Sequence, residues 1–211
     1  MTSALTLQSL PLFPLGTVLY PGGVLPLRIF EVRYLDMIGK CHKAGAPFGI
    51  VSLTQGAEVR QPGGNEAFSD VGTLATITDY EAPRAGLMMI RATGAQRFRI
   101  TSRGQLKHGL WIADVERLPA DMKVAIPDDL KVAATALRQL IESLEKKAGT
   151  APAQLPLVRP WQLDDCGWVA NRWCELLPLP LQLKQRLMEL DNPLVRLELV
   201  SDVLARTGIV N

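Results

Sequence analysis

Between Pro11 and Tyr34 the chain reads PLFPLGTVLYPGGVLPLRIFEVRY, with short apolar runs at Leu12 to Leu15, Val18 to Tyr20 and Val24 to Phe30. The runs are cut by Pro14, Gly16, Pro21, the Gly22-Gly23 pair and Pro26. Proline removes a ladder donor and fixes φ, and paired glycines permit positive φ, so the pattern predicts short strands joined by tight turns. Leu25, Leu27 and Ile29 alternate with Pro26, Arg28 and Phe30, which predicts one inward and one mixed face. From Glu31 to Ala44 the spacing of Val32, Leu35, Ile38 and then Cys41 or His42 predicts a helix with Glu31 at its electropositive start.

The same period continues as β for some distance. Pro47 to Leu53 is a buried-strand pattern, Gln55 to Asp70 is polar and broken by glycine and proline, and Val71 to Tyr80 pairs with Leu87 to Ala92 across a turn at Pro83 to Gly86. In Gln96 to Ile100 the alternation turns Phe98 and Ile100 inward and Arg97 and Arg99 outward, and Trp111 to Leu118 is a further strand. Sequential strands with short turns favour a barrel or curled sheet. Near Pro119 the period changes to that of helices. Pro127-Asp128-Asp129 starts one with the stripe Leu130, Ala134, Leu137, Ile141 and Leu144, and Gly149 stops it before a loop at Thr150 to Pro160. Asp164 or Asp165 caps a second helix carrying Val169, Ala170, Trp173 and Leu177. Leu183, Leu187 and Leu190 mark a third, and Asn192-Pro193 opens a fourth with Leu197, Val200 and Leu204 inward. The expected fold class is α+β: a β-rich unit with one helix over residues 1–120, then a bundle of about four helices over 121–211.

The Pro11 to Tyr34 stretch, followed by FGIVSL at Phe48, VGTLATI at Val71, GAQRFRI at Gly94, WVANRWCELLPLPLQLKQRLMEL at Trp168 and RLELV at Arg196, resembles the amino-terminal substrate-binding domain of Lon proteases. The resemblance is closest to the small stand-alone proteins made of that domain. It implies a PUA-like pseudo-barrel followed by a helical bundle, and a role in holding polypeptide. Val32 departs from the proline that relatives often carry at the first helical position, which leaves the exact helix start open.

Composition narrows the function classes. The 211 residues carry 23 Lys plus Arg against 21 Asp plus Glu, a net charge of +2, so overall charge commits the chain to no nucleic acid. The start lacks a basic region before an apolar core, and no run approaches a membrane span, so a cytoplasmic protein with no membrane partner is expected. Cys41, Cys166 and Cys174 lack paired spacing and read as reduced thiols. No phosphate-binding loop exists: Gly39-Lys40 precedes Cys41 and lacks a glycine five positions earlier. The ATPase and peptidase domains of a full Lon protease would have to lie beyond residue 211. Cys41 and His42 are helix neighbours and point about 100° apart, so they read as packing and surface groups. His108 reads as a turn residue, and two histidines with three scattered cysteines suggest neither zinc nor any other cofactor.

Two surfaces remain as candidates. Tyr20, Arg28, Glu31, Tyr34 and Trp168 are the peptide-binding set, and the plainer reading of Arg28, Glu31 and Arg33 is an ion pair fixing the strand-to-helix junction. From Ala82 to Ala113 there is no acidic residue, so Arg91, Arg97, Arg99 and Arg103 are the candidates for anion or RNA binding. The first functional expectation is a non-enzymatic module that recognises unfolded or exposed polypeptide, as an adaptor or presenter to a separate protease or chaperone. The second is a PUA-like RNA-binding protein using the arginine-rich hairpin. A hydrolase is a third, and no nucleophile with a placed base can be read for it.

Overall fold

The computed structural model describes residues 6–58, 66–148, 157 and 159–210. The chain divides into two compact units at the Ala120–Asp121 junction. In the first unit the strands are β1 (Thr6–Leu15), β2 (Val24–Ile29), β3 (Phe48–Gln55), β4 (Ala67–Phe68), β5 (Val71–Arg84), β6 (Leu87–Gln105) and β7 (Trp111–Arg117), with α1 (Val32–Ala44) between β2 and β3. β5 and β6 form one long antiparallel hairpin, paired from Val71↔Arg99 out to Arg84↔Leu87. The carboxyl half of β6 pairs with β7, β7 pairs antiparallel with β1, β1 pairs parallel with β3, and β3 pairs with β5. These pairings close a five-strand ring. The parallel β1–β3 step needs a crossover, which β2 and α1 supply. Together with the helices of the second unit this is the expected α+β class.

β2 joins the amino half of β6, from Val24↔Thr93 to Ile29↔Met88. The approach to it departs from expectation: Val18 to Tyr20 is not a strand, although all three residues are buried. A tight turn replaces it, with the Gly23 N–H donating to the Tyr20 carbonyl at 2.9 Å. Pro21 presets φ at its second position, and Gly22, at φ 72°, supplies the left-handed third position of a type II turn. Gly94 of β6 lies against this turn, where an added Cβ would stand 2.2 Å from the Tyr20 carbonyl oxygen.

Two apolar clusters fill the first unit. Ile29, Tyr34, Ile38, Phe48 and Ile90 belong to one beneath α1, and Leu12, Val51, Phe98 and Val115 to the other, inside the ring. α1 turns Ile38 and Cys41 inward with Leu35 packed beside them, as the spacing predicts, but its first turn departs from that stripe. Val32 is 80% exposed, whereas Arg33 and Tyr34 are buried with Met37, Ile38 and Cys41.

In the second unit a 3-10 turn at Asp128–Leu130 leads into α2 (Lys131–Ala148), followed by α3 (Cys166–Leu176), α4 (Leu181–Glu189) and α5 (Pro193–Arg206). These are the four α-helices of that unit among the described residues. The expected stop at Gly149 and most of the Thr150 to Pro160 loop lie outside the described residues. The cap of α3 is Asp165, whose carboxylate accepts from the Trp168 N–H at 2.9 Å. That of α5 is Asn192, accepting from Leu194 N–H and Val195 N–H with Pro193 in the first turn. Arg196, fully buried, donates to Asp121 at 2.5 Å, to Asn171 at 3.0 Å and to the carbonyls of Leu187 and Leu190. It thereby joins the chain before α2, the middle of α3 and the end of α4 to α5.

Candidate functional site

A groove of about 310 Å³ opens where β2 runs into α1. Phe13 and Leu15 from the end of β1, Ile29 from β2 and Tyr34 from α1 supply its apolar lining. Leu27 and Phe30 continue that lining outward, and Phe30 is 55% exposed. Pro26, Arg28, Glu31 and Glu58 complete it with a proline ring and three charged groups. This volume lies at the small end of the range for ligand clefts, about 300–1,000 Å³. The geometry follows from the sequence locally, because the strand alternation ends at Phe30 and Glu31 begins the helix as its cap residue.

Beneath the groove lies a polar network that fixes the junction. The Arg33 guanidinium donates to Glu31 at 3.1 Å, to the Gly109 carbonyl at 2.9 Å and to Glu66 at 3.0 Å. Glu66 also accepts from the Trp111 indole N–H at 2.8 Å. Arg33 sits 4.5 Å from the Tyr34 ring centroid, and that ring stacks on Phe13 at 4.0 Å. Burial raises the Tyr34 phenol above its ordinary range, although the Arg33 charge acts in the opposite direction. The buried arginine is affordable because every arm of its fork meets an acceptor.

Of the peptide-binding candidates, Arg28, Glu31 and Tyr34 come together in this groove. Tyr34 contributes there from a core position at 2% exposure. Tyr20 is a correction. It is fully buried where the Pro21-Gly22 turn begins and is not among the residues that line the groove. Trp168 belongs to the second unit, half-buried beside the Arg172 guanidinium, 5.7 Å from its ring. Phe13, Leu15, Phe30 and Glu58 were not singled out by sequence reasoning. Phe30 carried the available signal, as the last outward position of an alternating run.

The four arginines do not make one outward patch. Arg97, expected to project with Arg99, is 3% exposed. Alternation fixes which face a side chain takes and not whether water reaches it. Here Arg97 lies in mid-sheet, paired with Thr73 of β5 on one side, while on the other Leu118 donates its N–H to the Arg97 carbonyl at 2.9 Å as the rung after Phe98↔Arg117. Arg99 is exposed but stands opposite Glu116, Arg91 stands opposite Asp79, and Arg103 is bonded to Asp70 and packs on the Phe68 ring. A stretch without acids along the chain thus has acids beside it in space.

Elsewhere, Cys41 is buried, which raises its thiol pKa, while the adjacent His42 is exposed and stacks on Tyr80 at 4.1 Å. The two side chains do not form a nucleophile and base. Among the described residues no group of three or more His, Cys, Asp or Glu is placed to hold a metal ion. No helix among them is long and apolar enough to cross a membrane.

Residues 9–206 match the family model for the ATP-dependent protease La (LON) substrate-binding domain. Among curated proteins the chain is 29% identical over 209 residues to Lon protease 2 of Herpetosiphon aurantiacus, covering 97% of this chain and 24% of that protein. It is 29% identical over 212 residues to Lon protease of Paraburkholderia phytofirmans, covering 97% and 25%. The chain therefore spans about a quarter of the length of these curated relatives. Among solved structures, the Lon N-terminal domain protein from Xanthomonas campestris aligns with TM-score 0.70 and 28% identity, over 93% of this chain and 98% of that one. The N-terminal domain of Mycobacterium avium complex Lon protease, at 16% identity and TM-score 0.58, covers 92% and 97% and shares the fold.

Proposed function

The chain belongs to the Lon substrate-binding domain family, and on that premise we propose that it recognises unfolded or exposed polypeptide through the groove between β2 and α1. The observation that carries this reading is the groove itself: an apolar cleft with Leu27 and the exposed Phe30 along it, set on a junction made rigid by Arg33. Such a cleft gains free energy from any apolar side chain it removes from water, about 25 cal/mol per Å², and so tolerates varied sequence. In this role the chain holds polypeptide without chemistry of its own and presents it to a separate protease or chaperone. Cys41, Cys166 and Cys174 are buried thiols outside any disulfide, which suits a reducing compartment such as the cytoplasm.

The test is binding of a fluorescent unfolded polypeptide by the purified protein across a salt series, beside a fluorescent single-stranded RNA. Polypeptide binding should persist at high salt, because apolar burial is not screened, and should fall about tenfold or more in Phe30→Ser, whose fold should be unchanged. RNA binding that collapses with salt and disappears in Arg99→Ala, without polypeptide binding, would overturn the reading.

A further inference from the structure

We propose that the groove takes its polypeptide by strand addition to the outer edge of β2, with a preference for extended apolar segments that carry a basic residue. This deepens the reading of the groove as a polypeptide site and rests on it. β2 is paired along one edge only, by β6, and among the described residues no strand pairs with the other. The phase of that ladder follows from one bond. The Gly94 N–H donates to the Gly23 carbonyl at 2.8 Å, and the register runs on from Val24↔Thr93 to Ile29↔Met88. Bonded positions recur every second residue, so Leu25, Leu27 and Ile29 exchange bonds with β6. Val24, Pro26 and Arg28 turn their backbone groups the other way.

Pro26 agrees with this phase. A proline is tolerated in a sheet where its missing N–H would have faced away from the ladder. The outer edge therefore offers the N–H groups of Val24 and Arg28 and the carbonyls of Val24, Pro26 and Arg28. Pro26 and Arg28 also line the groove, so an edge of unpaired backbone and an apolar lining belong to the same cleft. A strand laid there satisfies its own backbone along β2 and sends alternate side chains towards Phe13, Leu15 and Tyr34.

The charges at the junction select among extended segments. Arg28 and Arg33 stand with three carboxylates, Glu31, Glu58 and Glu66, in the groove and the network beneath it. Arg33 is shared between Glu31 and Glu66, and Glu58 is held by the Gly16 N–H at 2.6 Å. Among the described residues the surplus is negative, and it favours a lysine or arginine on the bound segment and opposes an acidic one. The missing donor at Pro26 also limits indiscriminate pairing along this edge, as edge prolines do generally.

The experiment uses fluorescein-labelled peptides the length of β2, with alternating leucine and threonine and either a lysine or a glutamate at one end. Titrations are followed by anisotropy. N-methylation of the peptide amides one at a time should weaken binding about five- to tenfold at every second position and little at those between, since each methyl removes one backbone hydrogen bond. On the protein side, Arg28→Pro should bind more weakly than Arg28→Ala by a similar factor, because both lack the side chain and only the proline lacks the outward N–H. The lysine peptide should bind more tightly than the glutamate peptide. Should Arg28→Pro prove unfolded by circular dichroism, the N-methyl series still decides the matter on the native protein. Binding without that alternation overturns strand addition and leaves the polypeptide reading standing. Failure of every peptide and of the unfolded polypeptide to bind overturns both.

Discussion

Replacing Arg33 by methionine keeps most of the aliphatic stem and removes the guanidinium whose side chain is 5% exposed. Among the described residues Glu66, at 9%, then retains its Trp111 bond, and the Gly109 carbonyl retains the Gln105 amide at 3.2 Å. Breaking one partner of a buried ion pair costs about 3–5 kcal/mol, and the more exposed Glu31 arm adds little. The first unit spans Met1–Ala120. At about 2.1 cal/mol/K of unfolding entropy per residue, the loss lowers its melting midpoint by about 12–20 °C. Thermal and urea unfolding followed by far-UV circular dichroism measures it. Glu66→Gln keeps an acceptor for Trp111 but drops the charge, so the Arg33→Met/Glu66→Gln double variant should recover part of the loss, with a coupling of about 2 kcal/mol. A midpoint shift under about 4 °C for Arg33→Met, or strict additivity in the double variant, would show that the network does not hold the junction.

Gly94→Ala places a methyl 2.2 Å from the Tyr20 carbonyl oxygen, whose bond to the Gly23 N–H holds the turn, so it should cost about 3 kcal/mol in urea unfolding. Gly104→Ala in the same strand meets nothing within 4 Å and should be near neutral; equal effects would refute the close approach. In the second unit burial pushes the Glu175 carboxyl up to about 7, with the Arg172 guanidinium at 2.7 Å offsetting part of the shift. The unfolded carboxyl ionises near 4.5. The contribution of this group to stability should therefore be fullest below that pH and fall as pH rises towards 7, because the folded state keeps the proton longer. Melting midpoints measured against pH should show this slope in the native protein and a flatter one in Glu175→Gln.

The hairpin, the two cap residues and the Pro21-Gly22 turn were legible because each depends on contacts within a few residues. Proline, glycine and aspartate constrain their own backbone wherever they stand. The inward face of α1 was legible at Leu35, Ile38 and Cys41 but not at Arg33. Periodicity counts arginine as outward, and Arg33 turns inward only because Glu66 and Gly109, 33 and 76 positions away, provide its partners. The same limit explains the arginines of β6, whose acidic neighbours Asp79 and Glu116 come from other strands and Asp70 from the bend before β5. For the groove, Arg28, Glu31 and Tyr34 could be placed from the motif they share. Phe13, Leu15 and Glu58 reach it through ring closure, which no local spacing encodes.

The position of β1 sets an order on how the molecule comes into being. It lies between β3 and β7, so this strand, made before either, has no neighbour until Phe48–Gln55 emerges and no second neighbour until Trp111–Arg117 follows. Nearly the whole first unit must be synthesised before its ring can close, and loop-closure entropy of this kind slows folding. Through that interval Thr6–Leu15 presents an apolar edge to the cell.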